Sequence, residues 1–200
     1  MIKYSVMSGK LQGIPALNTS PLNNKYCQSM AKKKDNICSS CYSIKMLSTY
    51  RKSAEVAFVR YGKFLSDKVH PIEYLPKTPN ALYIRFSAHG ELINSNHLIN
   101  LINICKLAPN TTFTLWTKRK SLINKVFKKY AKPSNMILIY SALELDKTIE
   151  PPKHFNKVFI VQNKKDTKTN CFGGCIDCLK CYDLKDKTKH IYEEIKWKKN

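Results

Sequence analysis

From residue 81 onward the apolar positions alternate between a two-residue and a three-to-four-residue repeat. In "ALYIRFS" (81–87), Leu82, Ile84 and Phe86 alternate with Tyr83, Arg85 and Ser87, the period of a strand. Leu98, Leu101, Ile102 and Cys105 then form a helical stripe. "TFTLWTK" (112–118) reads as a second strand, and Leu122, Ile123, Val126, Phe127 and Tyr130 as a second helix. "NMILIYS" (135–141) and "KVFIVQN" (157–163) supply two more strands. Strands alternating with helices of this length predict βα units. The expected fold class is α/β: a partial (βα) barrel or an open, mostly parallel sheet.

The first 80 residues are less regular. "IKYSVM" (2–7) reads as a short strand, and residues 27–43 as a loop without apolar periodicity. Leu47, Tyr50, Ala54, Phe58, Tyr61 and Leu65 predict one helix over roughly 45–68, broken by the three prolines of "HPIEYLPKTPN". The total is about five strands and three helices, with no internal repeat. We expect a single domain over 1–182 and a basic tail or short helix over 183–200, the latter from "HIYEEIKWKKN".

The strand faces carry the first functional signal. Leu82, Ile84 and Phe86 suit a face packed under helices, leaving Tyr83, Arg85 and Ser87 on the other. Phe113 and Leu115 likewise alternate with Thr114, Trp116 and Lys118. Two strands that each aim a cation and an aromatic to one side predict a polar cavity, or else a sheet face open to solvent. Loops at the carboxyl ends of parallel strands gather functional groups. Those loops hold Ser87, His89, Glu91, Lys118 and Arg119, together with both cysteine groups. Arg85, His89, Glu91 and Lys118 are the candidate catalytic residues. His89 and Glu91 are suited to ligation or proton exchange, and equally to a turn and a helix start. His70, His97, His154 and His190 are expected to pack or lie on the surface.

Lys and Arg number 35 against 14 Asp and Glu, a formal charge of +21. Such an excess favours a polyanionic partner, nucleic acid foremost, although dispersed lysines also make a merely solvated surface. The opening "MIKYSVMSGK" lacks a signal-type apolar run and no stretch approaches transmembrane length, so a cytoplasmic chain without membrane contact is expected. Thiols there stay reduced, which shifts clustered cysteines from disulfides towards metal ligation.

Seven of the eight cysteines fall into two groups. Cys171, Cys175, Cys178 and Cys181 lie in "CFGGCIDCLKC", whose C-x2-C-x2-C run has the spacing of ferredoxin-type iron–sulfur ligands. Gly173 and Gly174 would permit a tight turn there. Zinc is the alternative, with Cys38-x2-Cys41 joined to Cys178-x2-Cys181. Cys27, Cys38 and Cys41 number three, which on a four-iron cluster leaves one iron open; a C-terminal cysteine completing a single structural site is the other reading. Lys32, Lys33 and Lys34 are expected to lower their thiol pKa. Cys105, on a helical stripe, reads as a core thiol.

In order along the chain, "CSSCYS", "RFSAHGEL", "TLWTK" and "CIDCLKCY" resemble the phage gene product 88 family, over roughly Ser5 to Tyr182. The layout of that family is similar to radical S-adenosylmethionine (SAM) proteins, a partial barrel with a cysteine loop after the first strand. The resemblance implies one or two clusters, the open one on Cys27, Cys38 and Cys41. It implies a SAM site near Gly90 and Glu91, with Ser87 beside them. It also implies a phage-infected cell, where the partner is nucleic acid or a host protein complex. Two departures stand out: ten residues separate Cys27 from Cys38, and a C-x3-C-x2-C run occurs instead at Cys171, Cys175 and Cys178. The alternative is a non-catalytic module stapled by zinc or a closed cluster, whose basic face binds nucleic acid or a host protein complex.

Overall fold

Six strands form one all-parallel, open sheet in the computed structural model, which describes residues 2–195. They are β1 (Ala16–Leu17), β2 (Tyr83–Phe86), β3 (Thr112–Thr117), β4 (Met136–Ser141), β5 (Lys157–Gln162) and β6 (His190–Glu194). Their order across the sheet is their order in sequence. The expected α/β class with a parallel sheet is therefore what the chain adopts. In a sheet wound this way, right-handed crossovers carry their helices to one face. That face is covered by α3 (Lys52–Asp67), α4 (Ser95–Leu107) and α5 (Lys120–Phe127). Ile84, Phe86, Phe113, Leu115, Leu138 and Ile160 meet Leu65, Leu98, Ile102 and Ile123 there in the main core. Cys105 is fully buried in it, as its stripe predicts.

The opposite face carries the other parity. Arg85 lies beside Thr114, and Trp116 beside Ile139. Trp116, Ile137 and Ile139 pack with Ile14 and Tyr182 in a second, smaller cluster. The cover is thus made of connecting chain, from the segment before β1 and from the β5–β6 connection.

Four expectations need correction. The first strand is Ala16–Leu17; within residues 2–7 only Ser5 pairs, in an isolated antiparallel bridge to Ala16. Residues 27–43 are not a loop, because they hold most of α1 (Lys25–Ala31), a 3-10 turn at Ile37–Ser40 and the start of α2 (Tyr42–Ser48). Asparagine caps make this local structure: Asn24 Oδ1 accepts from the Tyr26 and Cys27 amides, and Asn36 Oδ1 from the Cys38 amide at 2.8 Å. The single helix over 45–68 is two, α2 and α3. Ser48 and Thr49 hydroxyls donate back to the Ile44 and Lys45 carbonyls, competing with the helical ladder at the break. Finally, residues 190–194 form a strand, because β5 has a free edge that "HIYEE" pairs along its whole length. Residues 196–200 of the expected terminal helix lie outside the described residues.

The histidines expected to pack do so. His70 stacks on Phe64 with centroids 3.8 Å apart, and its amide donates to Asn100 Oδ1. His97 is buried and its Nδ1 accepts from the Ile93 amide. Burial, helped by Arg119, lowers its pKa to about 3, and burial with Arg51 and Arg85 lowers that of His89 to about 4. The unfolded chain takes up protons at about pH 6.5. Each histidine's contribution is therefore complete above that pH and is lost as pH falls towards the folded value. Between about pH 6 and 4 the two should cost roughly 2–3 kcal/mol per pH unit. Urea midpoints should fall over that range, with a slope about half as steep in His97→Gln; an unchanged slope would contradict neutral burial of His97.

Candidate metal centres and the polar sheet face

The first cysteine group sits where β2, β3 and β4 end. The Ile37 amide donates to the Leu143 carbonyl just beyond β4, and Tyr42 Oη donates to the Ala88 carbonyl just beyond β2. This holds Cys38 and Cys41 against the rim. Burial raises the pKa of Cys27, and Glu91, Cys41 and Cys38 add to it, while Lys118 opposes. Burial likewise raises Cys38 against the pull of Lys118. The expectation for Lys32, Lys33 and Lys34 is thus corrected: all three are exposed, and the cation at these thiols is Lys118. Lys118 Nζ donates to Ser141 Oγ at 2.5 Å, which fixes it at the rim between β3 and β4.

Glu91 is buried, and both of its carboxylate oxygens are hydrogen-bonded. Its carboxylate accepts from Thr117 Oγ1 at 2.6 Å, the Leu92 amide at 2.7 Å and the Lys118 amide at 2.8 Å. It clamps the β2–α4 connection to the end of β3 and thereby positions Lys118. Gly90 serves the same packing: a Cβ there would stand 2.4 Å from both the carbonyl oxygen and Oγ1 of Thr19, at φ +82°. Gly90→Ala should therefore destabilise by about 2–4 kcal/mol, read as a fall in thermal midpoint. A shift within error would show that Thr19 yields freely. Ser87, at φ +58°, is a non-glycine residue in the left-handed region at the end of β2.

His89 departs from the cysteines. Its Nδ1 shares a 2.8 Å hydrogen bond with Ser43 Oγ, and its ring stacks on Phe58 at 5.8 Å. Its backbone amide donates to Asn18 Oδ1 just beyond β1, on the β1 side of the rim.

The second cysteine group does not stay at the rim. From β5 the chain folds back over the polar sheet face, where Tyr182 is buried against Trp116 and Tyr83. Cys171, Cys175, Cys178 and Cys181 all line one small cavity of about 20 Å³. Gly173 takes φ +63°, the left-handed region that favours glycine, in the turn into α6 (Cys175–Cys178). Lys10 Nζ donates to the Cys171 carbonyl at 3.0 Å, contacts its Sγ at 3.6 Å and pairs with Glu193 at 2.6 Å. The expected polar cavity, and its alternative of a face open to solvent, are both corrected: this face is packed shut by Tyr182 and the thiol loop, because this connection supplies the cover that helices supply on the other face.

Arg85 lies beside the second group. Its guanidinium stacks on Trp116 at 3.8 Å, and its Nε is enclosed without a hydrogen-bond partner. Desolvation works against its charge, but Tyr182, Tyr42, Cys175 and Cys181 outweigh it and raise the pKa. No carboxylate is among those groups. Arginine cannot shed its proton, so a guanidinium here calls for a negative neighbour, and Cys175 and Cys181 are the thiols able to provide it. Burial raises Cys175, and pushes Cys181 up to about 12, with Arg85 the leading opposing influence on both. Tyr182 Oη lies near the guanidinium, which opposes the burial that raises its pKa, yet the pair falls short of hydrogen-bonding geometry. Thr114 Oγ1 is a further enclosed atom without a partner on this face.

All eight cysteines are free thiols. As the side chains stand, no three His, Cys, Asp or Glu among the described residues form a ready metal-binding group. The donor chemistry nevertheless fits thiolate-bound metal: seven unbridged sulfurs in a three and a four, with Lys118 at the first and Lys10 and Arg85 at the second. A four-iron cluster would need the C-terminal loop to open, since 20 Å³ holds about one water-sized body. Sequence reasoning missed Lys10, Tyr182, Asn24 and Asn36. The Asn residues had a legible signal, each a cap two or three positions before a cysteine.

The molecule is thus an open parallel α/β protein whose non-helical sheet face sets Arg85 and Thr114 among apolar side chains and is flanked by free thiols. No helix among the described residues is long and apolar enough to cross a membrane. The family model described as Gene product 88 matches residues 8–198, and the chain belongs to this family of phage proteins. No curated protein and no solved structure matches it.

Proposed function

We propose that this phage protein is a thiolate-ligated iron–sulfur protein. Cys27, Cys38 and Cys41 would hold one centre with an open position, and Cys171, Cys175, Cys178 and Cys181 would hold a second, closed one. The observation that carries the reading is Arg85, half-buried with an enclosed, unpartnered Nε and no ion pair to a carboxylate among the described residues, set beside Cys175 and Cys181. A bound cluster would supply one-electron chemistry. The chain's own residues do the rest: Lys118 offsets charge at the first group, and Lys10 and Arg85 at the second. Trp116 and Tyr182 exclude water from the sheet face between them. An amino group approaching Gly90, as a SAM site there requires, would meet a Glu91 carboxylate already engaged by three donors.

The small volume beneath the C-terminal loop favours a second reading for that group, a single zinc ion held by four thiolates. The charges that bear most on Cys27 and Cys38 are Glu91, Cys41 and Lys118, not the C-terminal thiols, which supports two centres over one shared site. The basic excess supports contact with nucleic acid alongside either metal.

Anaerobic purification with iron, sulfide and zinc analysis tests this. Iron with equal acid-labile sulfide and visible charge-transfer absorption supports clusters. Iron and sulfide with about one zinc supports the mixed reading. A colourless protein without iron overturns the iron–sulfur assignment.

A further inference from the structure

Away from both thiol groups, a cavity of about 250 Å³ opens between the N-terminal segment and the first turns of α3. Phe58, Tyr61 and Tyr4 form aromatic walls. Lys3 and Arg51 stand at the mouth, and among the described residues no Asp or Glu lines it. Among the described residues Arg51 is tied only through a 3.3 Å contact of its guanidinium to Ser8 Oγ and a stretch of backbone, and Lys3 is exposed.

The polar groups inside are already oriented. Asn18 Oδ1 accepts from the His89 amide, and Asn18 Nδ2 donates to Ser5 Oγ. The buried Ser43 hydroxyl fixes the His89 ring through Nδ1, so that Nε2 makes no hydrogen bond among the described residues. The stack of Phe58 on His89 continues the aromatic wall into this polar floor. The cavity therefore offers aromatic contact, an oriented imidazole ring with an amide and a hydroxyl nearby, and two cations with no acid among the described residues that line it.

We propose that this cavity binds a nucleotide, the ring between the aromatic walls and the phosphate at Lys3 and Arg51. Flat walls with a polar floor suit a heteroaromatic ring that has hydrogen-bonding edges, and the cationic mouth suits its anion. A volume just below the usual range for drug-sized ligands suits one base with its sugar–phosphate at the opening. The same chemistry comes from a free mononucleotide or from the phosphorylated end of a single strand. The site gives the nucleic-acid part of the proposed function a location, and it uses none of the metal-binding thiols. Its failure would leave the metal reading intact, and loss of the metal reading would leave this one.

The test is calorimetric titration of the full chain with the common nucleoside 5′-monophosphates. Ribose 5-phosphate and inorganic phosphate serve as ringless anions, adenosine as an uncharged ring, and a short 5′-phosphorylated single strand as the polymer. At least one monophosphate should bind, with ringless and uncharged probes at least about tenfold weaker. The surface variant Lys3→Gln/Arg51→Gln, folded by circular dichroism, should lose about tenfold for monophosphate and strand alike. A tighter strand identifies the polymer as the ligand's source, and equal affinities identify the free nucleotide. Absence of millimolar binding by every monophosphate and by the strand overturns the proposal. So does ringless binding as tight as nucleotide binding, or a variant that binds as well as the native chain.

Discussion

Arg85→Met should stabilise the metal-free protein and loosen its hold on metal. The arginine is partly desolvated, its Nε has no partner, and the titratable groups around it are thiols and phenols, which are neutral when no metal is bound. Methionine removes that unmatched charge and keeps apolar contact with Trp116. It forfeits a cation–π contact of roughly 1–2 kcal/mol at 3.8 Å. The balance is an expected gain of about 1 kcal/mol in the chelated protein, seen as a higher thermal midpoint. With metal bound the sign reverses. Cys175 and Cys181 become thiolates, Arg85 is their counter-charge, and the variant should bind metal about 10–100-fold more weakly in competition with a chelator. A variant destabilised without metal and unimpaired with it would show that Arg85 is held by packing alone.

Glu91→Ala carries the largest expected loss of stability. It strips the acceptor from Thr117 Oγ1 and from the Leu92 and Lys118 amides in a buried setting, which should cost about 3–5 kcal/mol in urea unfolding. Glu91→Gln retains one acceptor oxygen and should recover about half of it. A loss below about 1 kcal/mol would mean that the β2–α4 connection finds other partners. Because Glu91 also sets the Lys118 backbone, metal at the first thiol group should be held less tightly in both variants.

The parts of the fold that followed from sequence are those where local period and tertiary burial agree. Ile84 and Phe86 against Tyr83 and Arg85 gave β2 its two faces, whereas Leu82 lies outside the strand and is exposed; Arg85 and Trp116 do share a face. Where burial is supplied from far away, the period was silent. Ala16–Leu17 is too short to show alternation and is a strand only because β2 pairs with it. "HIYEE" scans as a charged helix until the free edge of β5 is known. The site was legible as residue types and spacing, and less so as placement. The rule that functional groups gather at strand ends located Cys38, Cys41, Lys118 and Glu91. It could not foresee that the β5–β6 connection doubles back to cover the sheet, carrying Cys175 and Cys181 to Arg85. Nor could it separate His89 from Glu91, two positions apart, when the turn at Gly90 sends one to an aromatic cavity and the other into a clamp.

Cysteine-resolved alkylation of the anaerobically purified chain, read by mass spectrometry before and after chelation, puts the grouping of sulfurs to its sharpest trial. Both sets, the three near the start and the four near the end, should resist the reagent until metal is withdrawn and then react, while Cys105 stays protected until the core unfolds. Immediate labelling of all seven in the untreated protein, or recovery of any of them as a disulfide, would contradict metal ligation by these residues.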